Sequence, residues 1–91
     1  MEKTNVQNMQ SSNGNDVPNQ FEIFTDKGVY FQSYASVIAF RSFDGKVQLD
    51  ATKWDYSVTT GRYRNIFLGE GIAETRAKIK SGEYELTNLN G

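Results

Sequence analysis

The sequence predicts a small α+β domain: an antiparallel β-sheet with a two-helix hairpin inserted before the last strand, behind a disordered N-terminal tail. Three observations carry this reading. From Phe21 to Asp50, apolar and aromatic residues come in short runs broken by Asp–Gly turn signals. Between Thr59 and Ser81 the apolar spacing changes to that of a helix. Residues 1–20 contain no aromatic residue at all.

At 91 residues there is room for a single domain. The first 20 residues are rich in Asn, Gln and Ser. Such a segment buries too little apolar area to offset ordering entropy of about 1–2 kcal/mol per backbone residue. The expected organisation is a tail over 1–20 and one folded unit over 21–91.

Phe21–Phe24 and Val29–Tyr34 are strand-like runs split by Thr25-Asp26-Lys27-Gly28, a tight turn with glycine at the position needing φ > 0. The next hairpin is Ser36–Asp50, turning at Asp44-Gly45. A two-residue loop there pairs Phe40 with Leu49 and Ser42 with Val47. Ile38, Phe40, Val47 and Leu49 then share one face, and Val37, Ala39, Arg41 and Gln48 the other. Asp50 either caps a short turn or closes the strand. Trp54, Tyr56 and Val58 alternate with polar residues, the period of a further strand.

Tyr63, Ile66 and Phe67 follow helical spacing, with a threonine ahead as N-cap and Gly69 behind as the left-handed stop. That predicts a helix over Thr60–Leu68, against the alternative of a strand through RYRNIFL. Gly61 in its first turn weakens it by up to about 1 kcal/mol. Gly71–Ser81 predicts a second helix, with Ile72 and Ile79 on its apolar stripe. Glu70 and Glu74 near its start and Lys78 and Lys80 near its end suit the helix dipole. Tyr84, Leu86 and Leu89 belong to a closing strand.

Composition excludes whole classes of chemistry. Cysteine and histidine are both absent. There is no disulfide framework, no thiolate or imidazole metal site, and no Ser–His or Cys–His nucleophile. Asp44, Asp50 and Asp55 lack the spacing of an acid–base pair or a calcium loop. Gly69-Glu70-Gly71 lacks the lysine and hydroxyl of a phosphate loop. The reading is a non-enzymatic protein with no metal and no cofactor. No signal-peptide core and no run of about 20 apolar residues is present, which predicts a cytoplasmic protein without a membrane partner.

The net charge of −1 conceals an asymmetry. Between Ala51 and Lys80, Lys53, Arg62, Arg64, Arg76, Lys78 and Lys80 outnumber Asp55, Glu70 and Glu74. A solvated face on a neutral protein is the plain reading of such a split. The functional reading is an anionic partner. Arg62, Arg64 and Asn65 are residue types that contact phosphates and base edges, and Lys78 and Lys80 follow on the next helix. Tyr56 and Tyr63 are aromatics on which bases can stack. Tyr56, Arg62, Tyr63, Arg64, Asn65, Lys78 and Lys80 therefore form the expected nucleic-acid-binding set. Trp54 reads first as a core anchor.

Three stretches carry a resemblance: FQSY (Phe31–Tyr34), WDYSVTTGRYRNIFLG (Trp54–Gly69) and KIKSGEYELTNLN (Lys78–Asn90). In them the chain resembles small uncharacterised proteins of bacteriophages and mobile elements. The resemblance implies a phage-like origin and a compact fold, and carries over no catalytic or binding residue. Two functions follow as expectations. One is nucleic-acid binding through the basic, aromatic 54–80 region. The other is a protein-binding modulator of a host enzyme or defence system, using Tyr30, Tyr34 and Phe43. Convergence of Arg62, Arg64, Lys78 and Lys80 on one surface would favour the first.

Overall fold

A computed structural model describes residues 4–11 and 13–91. Six strands and two helices follow in the order β1 (Asn5–Gln10), β2 (Asp16–Phe24), β3 (Gly28–Ser33), β4 (Ser36–Ser42), β5 (Val47–Asp50), α1 (Val58–Leu68), α2 (Ile72–Ser81) and β6 (Tyr84–Thr87). They form one sheet in sequence order, β1 to β6, antiparallel except for the β5–β6 pair. The fold is α+β, with the helix pair inserted before the last strand as expected.

Much of the expected tail is sheet. β1 pairs with β2 from Asn5↔Phe24 to Gln10↔Asp16, and β2 begins at Asp16 rather than Phe21. Composition misjudges this segment because an edge strand needs one buried side chain and a satisfied ladder, not an apolar face. Met9, at a register shift in β1, supplies that side chain and is 5% exposed. Asn8 Nδ2 also donates to the Val17 carbonyl at 3.3 Å. The part of the tail expectation that falls on residues 1–3 and 12 lies outside the described residues.

The β2–β3 hairpin pairs Phe24 with Val29 and Ile23 with Tyr30, on the strands expected. Gly28 has a different reason from the expected positive φ. A Cβ there would lie 2.4 Å from the Arg41 carbonyl and 2.8 Å from the Phe40 ring, so the close approach of β4 demands glycine.

The β4–β5 hairpin exists, one residue out of the expected register. Ala39 pairs with Leu49, Phe40 with Gln48 and Arg41 with Val47. The turn is the cause. Gly45 N donates to the Ser42 carbonyl at 3.0 Å, and Ser42 N to the Lys46 carbonyl at 2.8 Å. Three residues, Phe43 to Gly45, form the loop, with Gly45 at φ +95° in the left-handed place of a three-residue hairpin. One extra loop residue exchanges the faces. Phe40 leaves the core, and Ala39 enters it. Ile38 also stays buried, because β4 shifts register against β3 after Phe31↔Ala39 and bulges at that point.

Trp54–Val58 is not a strand. Residues 51–56 form turns, anchored by buried Asp50. Its carboxylate accepts from Thr52 N at 3.2 Å, Lys53 N at 2.9 Å and Leu89 N at 2.9 Å. Tertiary bonding therefore overrides the alternating pattern. α1 begins earlier than expected, because Ser57 is the cap, its hydroxyl accepting from Thr60 N at 3.1 Å. Thr60 instead is buried, its hydroxyl 2.8 Å from that of Ser33. Gly69 ends α1 in the left-handed conformation, as the spacing predicts, and Gly82 ends α2 in the same way.

The helices carry the chain back across the sheet, so β6 lies parallel to β5, with Val47↔Tyr84 and Leu49↔Leu86. The strand stops at Thr87, short of Leu89. Beyond it, Asn90 Nδ2 donates to the Val37 carbonyl and its Oδ1 accepts from Val37 N. The core lies between the helices and one face of the sheet: Val29, Phe31, Ala39, Val47, Leu49 and Tyr84, with Phe67 of α1. The Phe31 and Phe67 rings stack with centroids 5.7 Å apart.

Candidate functional site

The expected nucleic-acid set divides by burial. Arg64 is 1% exposed. Its guanidinium donates to the Trp54 carbonyl at 2.7 Å, to Asp55 Oδ1 at 3.0 Å and to Asn65 Oδ1 at 3.1 Å. It lies 5.2 Å from the Trp54 ring. It is the pin that holds the 51–57 turns to α1. Asn65 is half-buried and occupied by that pin and by the helix end, where its carbonyl accepts from Gly69 N. Tyr63 is half-buried against the core.

Lys78 is also taken up. Its ammonium lies 2.7 Å from Glu70 Oε1 and 3.5 Å from Glu74 Oε2. Thr75 and Tyr84 hydroxyls donate to the same Glu70 carboxylate at 2.6 and 2.8 Å. Burial pushes the Glu70 carboxyl up, but hydrogen bonds from Lys78, Thr75 and Tyr84 outweigh it and hold the pKa below the ordinary value. The same bond to Glu70 raises that of Lys78. Burial, then Glu70, raises that of Tyr84. This cluster locks α2 to β6.

Arg62 and Lys80 are exposed, and Tyr56 is 43% exposed with Lys53 Nζ 5.1 Å from its ring. The four cations expected to converge thus fall into two that pin structure and two that face solvent.

The other face of the sheet carries neither helix. Register places Val6, Ile23, Tyr30, Phe40, Gln48 and Glu85 in one continuous row across all six strands. Beside it runs Asn8, Phe21, Gln32 and Val37. The aromatics of these rows are half-buried, and the Tyr30 and Phe40 ring centroids lie 4.4 Å apart. Among these residues Glu85 alone is charged. The surface is apolar and nearly neutral.

At its β5–β6 end this face falls into a groove of about 610 Å³ lined by Phe40, Ser42, Lys46, Gln48, Glu83 and Glu85, among others. Gln48 Nε2 donates to Glu85 Oε1 at 2.6 Å, which orients that carboxylate. The adjoining turn holds exposed Phe43 and Asp44. Hydrogen bonds from the Ser42 hydroxyl and Lys46 amide, then the Lys46 charge, hold Asp44 below the ordinary carboxylate range. At the opposite end of β4, Tyr34 is 50% exposed at a hairpin tip, with φ +55° where glycine sits at lower cost.

Sequence reasoning missed this groove. β5 and β6 lie far apart in the chain, and their parallel pairing leaves no local signal. The only hint was the acidic balance outside 51–80.

Among the described residues no group of His, Cys, Asp and Glu could hold a metal ion, and no helix is long and apolar enough to cross a membrane. A family model spans residues 4–85, from the start of β1 into β6. The chain belongs to DUF8033, a family of unknown function. No curated protein and no solved structure matches it. The family match includes Asn5–Gln10 and Asp16–Gln20, so in this DUF8033 chain the N-terminal strands lie within the matched domain.

Proposed function

We propose that the chain is a non-enzymatic binding module that docks a protein partner on the open face of its sheet. The observation that carries this is the uncovered row Val6, Ile23, Tyr30 and Phe40, bordered by Phe21 and Val37. Half-exposed aromatics on a rigid sheet offer large contact area at little ordering cost. The same face carries almost no positive charge, whereas nucleic-acid affinity comes mainly from cations on phosphates. A protein surface is the better complement. The resemblance of Phe31–Asn90 to phage and mobile-element proteins supports a host cytoplasmic protein as that partner.

Nucleic-acid binding stands as the second reading, supported by exposed Arg62 and Lys80 and by Lys53 over Tyr56. One experiment separates the two. A photo-crosslinking amino acid replaces Gln32 on the open face or Arg62 on α1, and adducts formed in cells are treated with nuclease or protease. The expected result is a protease-sensitive, nuclease-resistant adduct from position 32 only. A nuclease-sensitive adduct from position 62 would install the second reading. An adduct between two copies of the chain, or none at position 32, would overturn the first.

A further inference from the structure

We infer that the groove at the β5–β6 end of the open face receives a cationic side chain, a guanidinium or ammonium, from the docked protein. This rests on the sheet-face reading and adds what the partner must present. Three features converge on the groove.

The first is carboxylates without cations. Glu83 and Glu85 are exposed, and among the described residues no lysine or arginine lies within ion-pair distance of either. The ion pairs of Arg64 and Arg76 with Asp55, and of Lys78 with Glu70 and Glu74, lie instead on the helix side. Among the described residues Glu85 accepts from Gln48 alone, a neutral donor that aims the carboxylate without neutralising it. Among the described residues lining the groove Lys46 is the one cation, and it forms no ion pair with Glu83 or Glu85.

The second is an aromatic wall. Phe40 lines the groove and continues into Tyr30 along the open face. An aromatic ring beside carboxylates suits a cation on an apolar stem, because the stem packs on the ring while the charged head meets the acids. The third is volume: about 610 Å³ accommodates a long side chain with part of its backbone. The neutral rows beyond the groove would then take the partner's apolar residues. A charged anchor at one end of an apolar strip fixes orientation and register.

The test uses the full chain and two probes. One is a short acetylated, amidated peptide of alternating valine and arginine. The other is its twin with citrulline, which is nearly isosteric but neutral, a carbonyl oxygen replacing one terminal NH2 group. Binding is followed by amide chemical shifts in the nitrogen-15-labelled protein. Expected are shifts at Phe40, Gln48, Glu83 and Glu85 with the arginine peptide, and affinity at least about tenfold weaker with citrulline. The Glu83→Gln/Glu85→Gln variant should show the same loss at an unchanged melting temperature. The citrulline arm keeps the test independent of how that variant folds. Equal affinities with shifts centred on Ile23 and Tyr30 would overturn the cation site while sparing the sheet-face reading. Absence of groove shifts with the arginine peptide would overturn the inference outright.

Discussion

Arg64 shows how much a single side chain can change meaning between sequence and structure. On a helix next to Arg62 it reads as a second phosphate contact, yet its planar fork ties the 51–57 turns to α1 inside the protein. Its Nε has no partner, so the pin depends on the two terminal nitrogens. A lysine would supply a point charge without that fork and could not reach the Trp54 carbonyl, Asp55 and Asn65 together. Removing a buried charged partner typically costs about 3–5 kcal/mol, and the partial exposure of Asp55 places this case at the lower end. Arg64→Ala should therefore lower the denaturation midpoint by about 3 kcal/mol of stability, while Arg62→Ala should stay within about 0.5 kcal/mol. Equal effects in urea titrations would show that the pin is not structural.

At the scale of elements, the cap residues work as their chemistry dictates, but the acid–base cluster at the α2–β6 junction sets the pH response. The folded Glu70 carboxyl titrates below its unfolded value. The stability it contributes is fully present above the ordinary glutamate pKa and is lost as pH falls through the lower, folded value. Asp50 acts in the same direction: burial pushes it up, but bonds from Leu89, Thr52, Asn90 and Lys53 bring its pKa below the ordinary value. Lys78 has the opposite sign. Its raised pKa leaves its contribution intact through neutrality and removes it only at alkaline pH. Thermal melts should show a steep loss below the carboxylate range. Glu70→Gln should melt lower near neutrality and lose less on acidification. A parallel pH profile in the variant would mean that Glu70 does not carry the acid response.

For the whole molecule, the sheet separates a covered face from an open one, and substitutions should respect that division. Leu49 is fully buried between sheet and helices. Leu49→Ala should cost about 2–5 kcal/mol through the cavity it leaves. Phe40, on the open face, is only half-buried, and Phe40→Ala should cost clearly less while removing the aromatic wall of the groove. Chemical denaturation of both variants checks the order. A larger cost for Phe40 would restore the register in which Phe40 faces Leu49 in the core.

By itself the sequence determined the fold class, the strands from Phe21 to Asp50, both helices and their glycine stops, because each depends on neighbours a few residues away. Periodicity and turn chemistry are local, and they were legible. The register of β4–β5 was not, since Asp-Gly fits a two-residue and a three-residue loop alike, and one residue exchanges the faces. Nor was the N-terminal hairpin, whose polar strands gain their stability from a ladder on β2 rather than from composition. Trp54–Val58 alternates like a strand, but Asp50 and Arg64 draw it into turns. For the candidate site the same rule held. Residue types near Arg62 announced charge, but only packing decided that Arg64 and Lys78 turn inward. The groove of Phe40, Gln48, Glu83 and Glu85 exists because a two-helix crossover returns β6 beside β5, a contact between distant residues that no local pattern encodes.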